Sequence, residues 1–200
     1  MTVLRPDALA IDPGEKGGAV MLSGTGRLVF AASWKGNQRD KLPGFALSVY
    51  LDDDGSTTTH QLPRRPSALG SALASLLVDI GWQPARLACE DVFLHRASRN
   101  FETPKKLARF GGGVMAPLEE LCDTSAAYVQ AQVWRAAVLR LPRNAARERA
   151  KVASLRYMPP MVPGLPGAIA ALGEHDHLTD AAGIAAWRQR YEPKKRGGAR

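Results

Sequence analysis

The sequence predicts an α/β fold, a mixed β-sheet flanked by helices, and three observations carry that prediction. In the first third of the chain, short apolar runs are separated by brief turns, the pattern of strands paired antiparallel. From residue 66 onward, helix-period and strand-like segments alternate, and strand-helix-strand units favour parallel pairing. The chain closes on helix-period segments, which supply cover for the faces of a sheet.

The elements follow in order. Leu9, Ala10 and Ile11 form an apolar run that ends at Asp12-Pro13-Gly14, a strand entering a sharp turn. Gly17-Gly18 opens a second strand, Ser23-Gly24-Thr25-Gly26 is a hairpin-type turn, and residues 27–34 form a third strand. Residues 35–44 are polar and turn-rich. Two more strands, 45–51 and 57–62, flank Asp52-Asp53-Asp54-Gly55, which reads as a solvated hairpin tip rather than a metal loop. Residues 66–80 place Leu69, Leu73, Leu76, Leu77 and Ile80 on one helix face, with Ser67 as N-cap. Residues 86–93 form a strand that carries Glu90, and a basic loop follows.

Residues 104–122 are helical in pattern, although each glycine of Gly111-Gly112-Gly113 weakens a helix by about 1 kcal/mol. Such a helix keeps its glycines where another backbone packs closely, or else breaks there; Pro117 adds a kink. A strand is expected at 128–133, and 134–141 either continues it or begins a short helix. Residues 144–158 form a basic helix, 159–166 are expected to be irregular, and 176–189 form the last helix, with Ala181, Ile184 and Ala185 on its apolar face. The Lys/Arg/Gly-rich residues 193–200 are expected to be disordered.

The chain's 200 residues suffice for one domain with a full core, over residues 1–192, and require no second. A net charge of +8 favours a polyanionic partner, nucleic acid before membrane, although charge alone equally suits a basic protein using it for solubility. The two cysteines, Cys89 and Cys122, lack metal-ligand spacing, which fits a reduced cytoplasmic setting. No run approaches the roughly 18 apolar residues of a membrane span.

The chemistry lies in three short motifs: Asp12 in Ile-Asp-Pro-Gly, Glu90 in Ala-Cys-Glu-Asp, and Asp176, His177 and Asp180 in His-Asp-His-Leu-Thr-Asp-Ala-Ala. If the strands bearing Asp12 and Glu90 are neighbours, the two carboxylates meet at one sheet edge, where α/β proteins place their sites. On the last helix Asp176, His177 and Asp180 stand three and four apart and share a face. Gathered carboxylates repel one another unless a cation lies between them. Such a set suits a pair of divalent ions about 3.5–4 Å apart, Mg²⁺ or Mn²⁺, and phosphodiester hydrolysis. Any one of these residues taken singly fits a turn, a cap or a salt bridge.

Taken together they resemble a known family. Leu9-Ala10-Ile11-Asp12-Pro13-Gly14 with Gly18 looks like the first motif of the RuvC family of Holliday junction resolvases. Glu90-Asp91-Val92-Phe93 is similar to the second motif, and His177-Leu178-Thr179-Asp180-Ala181-Ala182 to the closing one. The resemblance implies an RNase H-like five-stranded mixed sheet, with residues 35–66 as an inserted hairpin. It also implies a homodimer and metal-dependent paired nicking of four-way DNA junctions in recombination and repair; some bacterial relatives have a branch-migration helicase as partner.

By position, Asp12, Glu90 and Asp180 would bind two ions per site. His177 fills the slot that relatives give to Asp or His, with the adjacent Asp176 as second choice. Imidazole would suit Mn²⁺ better than Mg²⁺. Phe93 matches an aromatic that stacks on bases, though as the end of an apolar strand it is equally a core residue. Lys151 lies where relatives contact the scissile strand. From the sequence, His95, Arg96 and Arg99 form a phosphate-contacting loop, and Arg147 and Lys151, four apart, form a basic stripe. Three other readings compete: an RNase H-like nuclease acting on RNA, a junction-binding protein without catalysis, and, more distantly, a sugar-kinase or actin-like ATPase, for which the chain is short.

Overall fold

A computed structural model describes residues 6–37, 44–91 and 102–191. Seven strands form one sheet: β1 (Pro6–Asp12), β2 (Lys16–Ser23), β3 (Leu28–Asn37), β4 (Gly44–Leu51), β5 (Thr57–Pro63), β6 (Arg86–Asp91) and β7 (Ala127–Gln130). Their order is β5-β4-β3-β2-β1-β6-β7. The first five strands pair antiparallel in succession, whereas β1–β6 and β6–β7 are parallel. The expected mixed five-stranded sheet is therefore β3-β2-β1-β6-β7. The hairpin β4–β5 is added to its antiparallel edge and shares its core.

Strand alternation divides the buried side chains between two faces. On one, Leu9, Ile11, Met21, Phe30, Phe45, Leu47, Leu87 and Cys89 meet α1 (Pro66–Asp79) and α2 (Glu102–Cys122). On the other, Ala10, Val20, Leu22, Ala88 and Val129 meet α3 (Ala131–Leu139), α4 (Arg147–Met161), α5 (Leu165–Leu172) and α6 (Asp176–Arg190). Phe45 of the hairpin packs edge-on to Phe110 of α2, with ring centroids 5.6 Å apart.

The glycine triplet does not break α2. A Cβ on Gly113 would stand 2.8 Å from Pro66, and one on Gly70 of α1 would overlap the Val114 backbone. The glycines let the two helices approach, the first of the two outcomes expected above.

Several local expectations are corrected. Ser67 is not the N-cap of α1; Arg65 holds that position with no side-chain bond, and Pro66 begins the helix with a ring suited to its first turn. The strand expected at 128–133 ends at Gln130, and α3 starts at once. The stretch 159–166 is largely helical: α4 runs through Pro159 and Pro160 to Met161, and α5 begins at Leu165. Gly164 (φ 92°) and Gly173 (φ 65°) bracket α5 in left-handed conformations that favour glycine. Asp52, read as part of a solvated tip, accepts two bonds from Arg27 at 2.8 and 2.9 Å, and its side chain is 8% exposed.

Candidate active site

Parallel pairing brings the first two acids together. Ile11 pairs with Cys89, so Asp12 and Glu90, the next residue on each strand, lie side by side at the C-terminal ends of β1 and β6. The turn after Asp12 is pinned by Trp34, whose Nε1 donates to the Gly14 carbonyl at 2.8 Å. Helix α6 crosses the sheet against β1, β2 and β6, and its first turn reaches the same edge. A Cβ on Gly18 would stand 3.0 Å from the His177 backbone, so the glycine in β2 is what lets α6 come so near.

Four residues from three distant segments thus converge: Asp12, Glu90, His177 and Asp180. His177 Nδ1 donates to Asp12 Oδ2 at 2.7 Å. Of the two alternatives at the fourth position, His177 is the one that meets Asp12; the Asp176 carboxylate turns to Lys151 and pairs with it. Asp180 accepts from Ser154 Oγ at 2.7 Å and from Arg135 Nη2 at 2.8 Å. Trp134 Nε1 points at Glu90 Oε2 at 3.4 Å.

The electrostatics follow from this crowding. Burial, reinforced by the charges of Asp12 and Asp180, pushes Glu90 up to about 8, so it holds a proton at neutral pH. The bond to Asp12 raises His177 above the usual imidazole value against the effect of its own burial. Burial likewise lifts Asp12, opposed by His177 and aided by Asp180. The proton on Glu90 and the guanidinium of Arg135 therefore offset the negative charge gathered here.

Three carboxylates and an imidazole are hard oxygens and a borderline nitrogen, a donor set that fits Mg²⁺ or Mn²⁺ in composition. Among the described residues, no three of these groups come close enough together to hold an ion as they stand. Asp180 faces Arg135 and Ser154, and Asp12 faces His177.

The cluster floors a cleft of 460 Å³ whose wall carries Arg143, Arg147 and Lys151. The structure thus brings both members of the predicted basic stripe, Arg147 and Lys151, beside the acids. Phe93, His95, Arg96 and Arg99 lie outside the described residues. Four residues at the site escape the sequence reading: Trp134, Arg135, Arg143 and Ser154. Arg143 follows Pro142 between two periodic segments, which was a usable signal. The other three sit on helices where nothing local marks them. Asp7, which looks like an ordinary surface charge, accepts from Gln189 Nε2 at 2.9 Å and helps fasten the far end of α6.

Fold and site together define an α/β protein with an acidic cluster at the strand ends of a mixed sheet, opening into a cleft with a basic wall. Among solved structures, the chain is similar to the Thermus thermophilus RuvC structure, at 16% identity over 89% of this chain and 90% of that one, TM-score 0.42. It is also similar to T. thermophilus RuvC in complex with Holliday junction substrate, at 14% identity over 89% of each chain, TM-score 0.44. Comparison with protein-family models and with curated proteins gives no match. Among the described residues, no helix is long and apolar enough to cross a membrane.

Proposed function

We propose that this protein is a divalent-metal-dependent endonuclease that resolves four-way DNA junctions by paired nicks, acting as a homodimer. One observation carries the reading. Asp12, Glu90, His177 and Asp180, drawn from three distant segments of the chain, meet in a cleft also lined by Arg143, Arg147 and Lys151. An anionic backbone would sit against the basic wall with a phosphate over the acids, a division of labour that suits phosphodiester chemistry.

In this reading Asp12, Glu90, Asp180 and His177 hold the metal. When bound, divalent ions would supply Lewis-acid activation of water and neutralise charge at the departing 3′ oxygen. The chain's own residues do the rest. Trp134 and Ser154 orient Glu90 and Asp180, the Gly18 contact sets the height of His177, and Arg143 and Arg147 position the strand. Imidazole at position 177 favours Mn²⁺ relative to an all-carboxylate set. Two copies related by a two-fold axis would present two such sites to opposite strands of a junction.

The test is a labelled four-way junction incubated with Mg²⁺ or Mn²⁺, beside Asp12→Asn. Symmetric paired nicks, reduced at least ~100-fold in the variant and absent on linear duplex, are expected, since each lost metal contact takes several kcal/mol from the transition state. Cleavage of RNA instead would transfer the site to a different substrate. Tight binding without nicks in either metal would make the protein a junction binder.

A further inference from the structure

Among the described residues lining the cleft, Arg135 is the charged one that neither the motifs nor the proposed chemistry uses. Its guanidinium donates to Asp180 at 2.8 Å. It is held from behind by the Trp134 ring, whose centroid lies 5.0 Å from the guanidinium carbon, and its side chain is only 15% exposed. The fit is incomplete: Nε is buried and finds no hydrogen-bond partner among the described residues. A buried donor left unmet has a free-energy cost, so Arg135 is kept here by the charge of the acids more than by its hydrogen bonding. Asp180 has two oxygens, and Ser154 and Arg135 take one each. Both oxygens of Asp180 are thus already engaged, and an ion bound to either would stand close to the guanidinium charge, which repels it.

We propose that Arg135 is a resident counter-ion that competes with the divalent metal for Asp180, so that metal enters only as the guanidinium leaves. The inference rests on the metal-dependent reading above. In the metal-free protein Arg135 keeps the acid cluster folded. On metal entry it swings off Asp180 within the cleft, where a phosphate is the natural new partner for a planar guanidinium.

The test is calorimetric titration of Mn²⁺ into wild type, Arg135→Gln, Arg135→Lys and Ser154→Ala, with circular dichroism of each metal-free protein. Removing the competing charge should tighten Mn²⁺ binding about tenfold in Arg135→Gln, while its metal-free form melts lower. Arg135→Lys, which keeps the charge, should bind within about threefold of wild type and shows that the effect is electrostatic rather than a packing change. Ser154→Ala removes an orienting hydroxyl and no charge, so it should weaken binding. Equal or weaker Mn²⁺ affinity in Arg135→Gln overturns the competition alone. Binding undetectable in all four proteins overturns the metal reading and the competition with it.

Discussion

Glu90 shows how the site is poised at single residues. Its unfolded value is 4.5 and its folded value about 8, so between them the folded chain keeps a proton that the unfolded chain has released. The unfolded state then binds fewer protons, and stability falls as pH rises. This contribution is fully present below the unfolded value and is lost as pH rises through the folded one. His177, raised above its ordinary 6.5, acts with the same sign. The melting temperature of the metal-free protein should therefore decline from about pH 5 to about pH 8, with a ceiling near 1.4 kcal/mol per pH unit for one proton. Glu90→Gln cannot ionise and should flatten that decline; parallel profiles for the two proteins would refute the burial argument. Asp12 and Glu90 were legible in the sequence because an acid ending an apolar strand is a local signal. Arg135 was not, because a helical arginine looks solvated until a distant helix sets an aspartate against it.

Helix α6 joins these residues into one site, and its small residues explain how. Gly183 lies against Trp134, where a Cβ would overlap the indole ring, and Trp134 is fully buried. Gly183→Val should push α6 off α3 and cost about 1–3 kcal/mol, the usual range for overpacking. At 200 residues that is roughly 2–4 °C in Tm per kcal/mol, readable in a thermal melt. If the melt were unchanged, the contact would not be as tight as the structure shows. Long periodic elements such as α1 and α6 were readable because their apolar faces repeat over several turns. The helix α5 was missed although Pro166 in its first turn and Gly173 at its end mark its bounds. The prolines of 159–166 outweighed those marks, because each lacks an N–H and crowds the carbonyl four residues back, although α4 accommodates Pro159 and Pro160 near its end.

Charge and topology act over the full length of the chain. With a net charge of +8 and Arg143 and Arg147 beside the acids, the proposed junction binding should weaken steeply with salt. Replacing both arginines by glutamine should lower the slope of log K against log salt by about 2, roughly 0.9 per lost phosphate contact. A slope unchanged in filter-binding or anisotropy titrations would place the DNA elsewhere. The hairpin β4–β5 extends the sheet and buries Phe45 and Leu47, so removing it would expose core rather than trim a surface loop.

Strand and helix periodicity, the three acidic motifs and the basic balance were written in the order of residues, since each depends on neighbours only a few positions away. The adjacency of β1 and β6, the hydrogen bond between His177 and Asp12, and the salt bridge from Arg135 to Asp180 were not. Each joins segments from about 45 to 165 residues apart, and such contacts exist only once the sheet has assembled and α6 has crossed it.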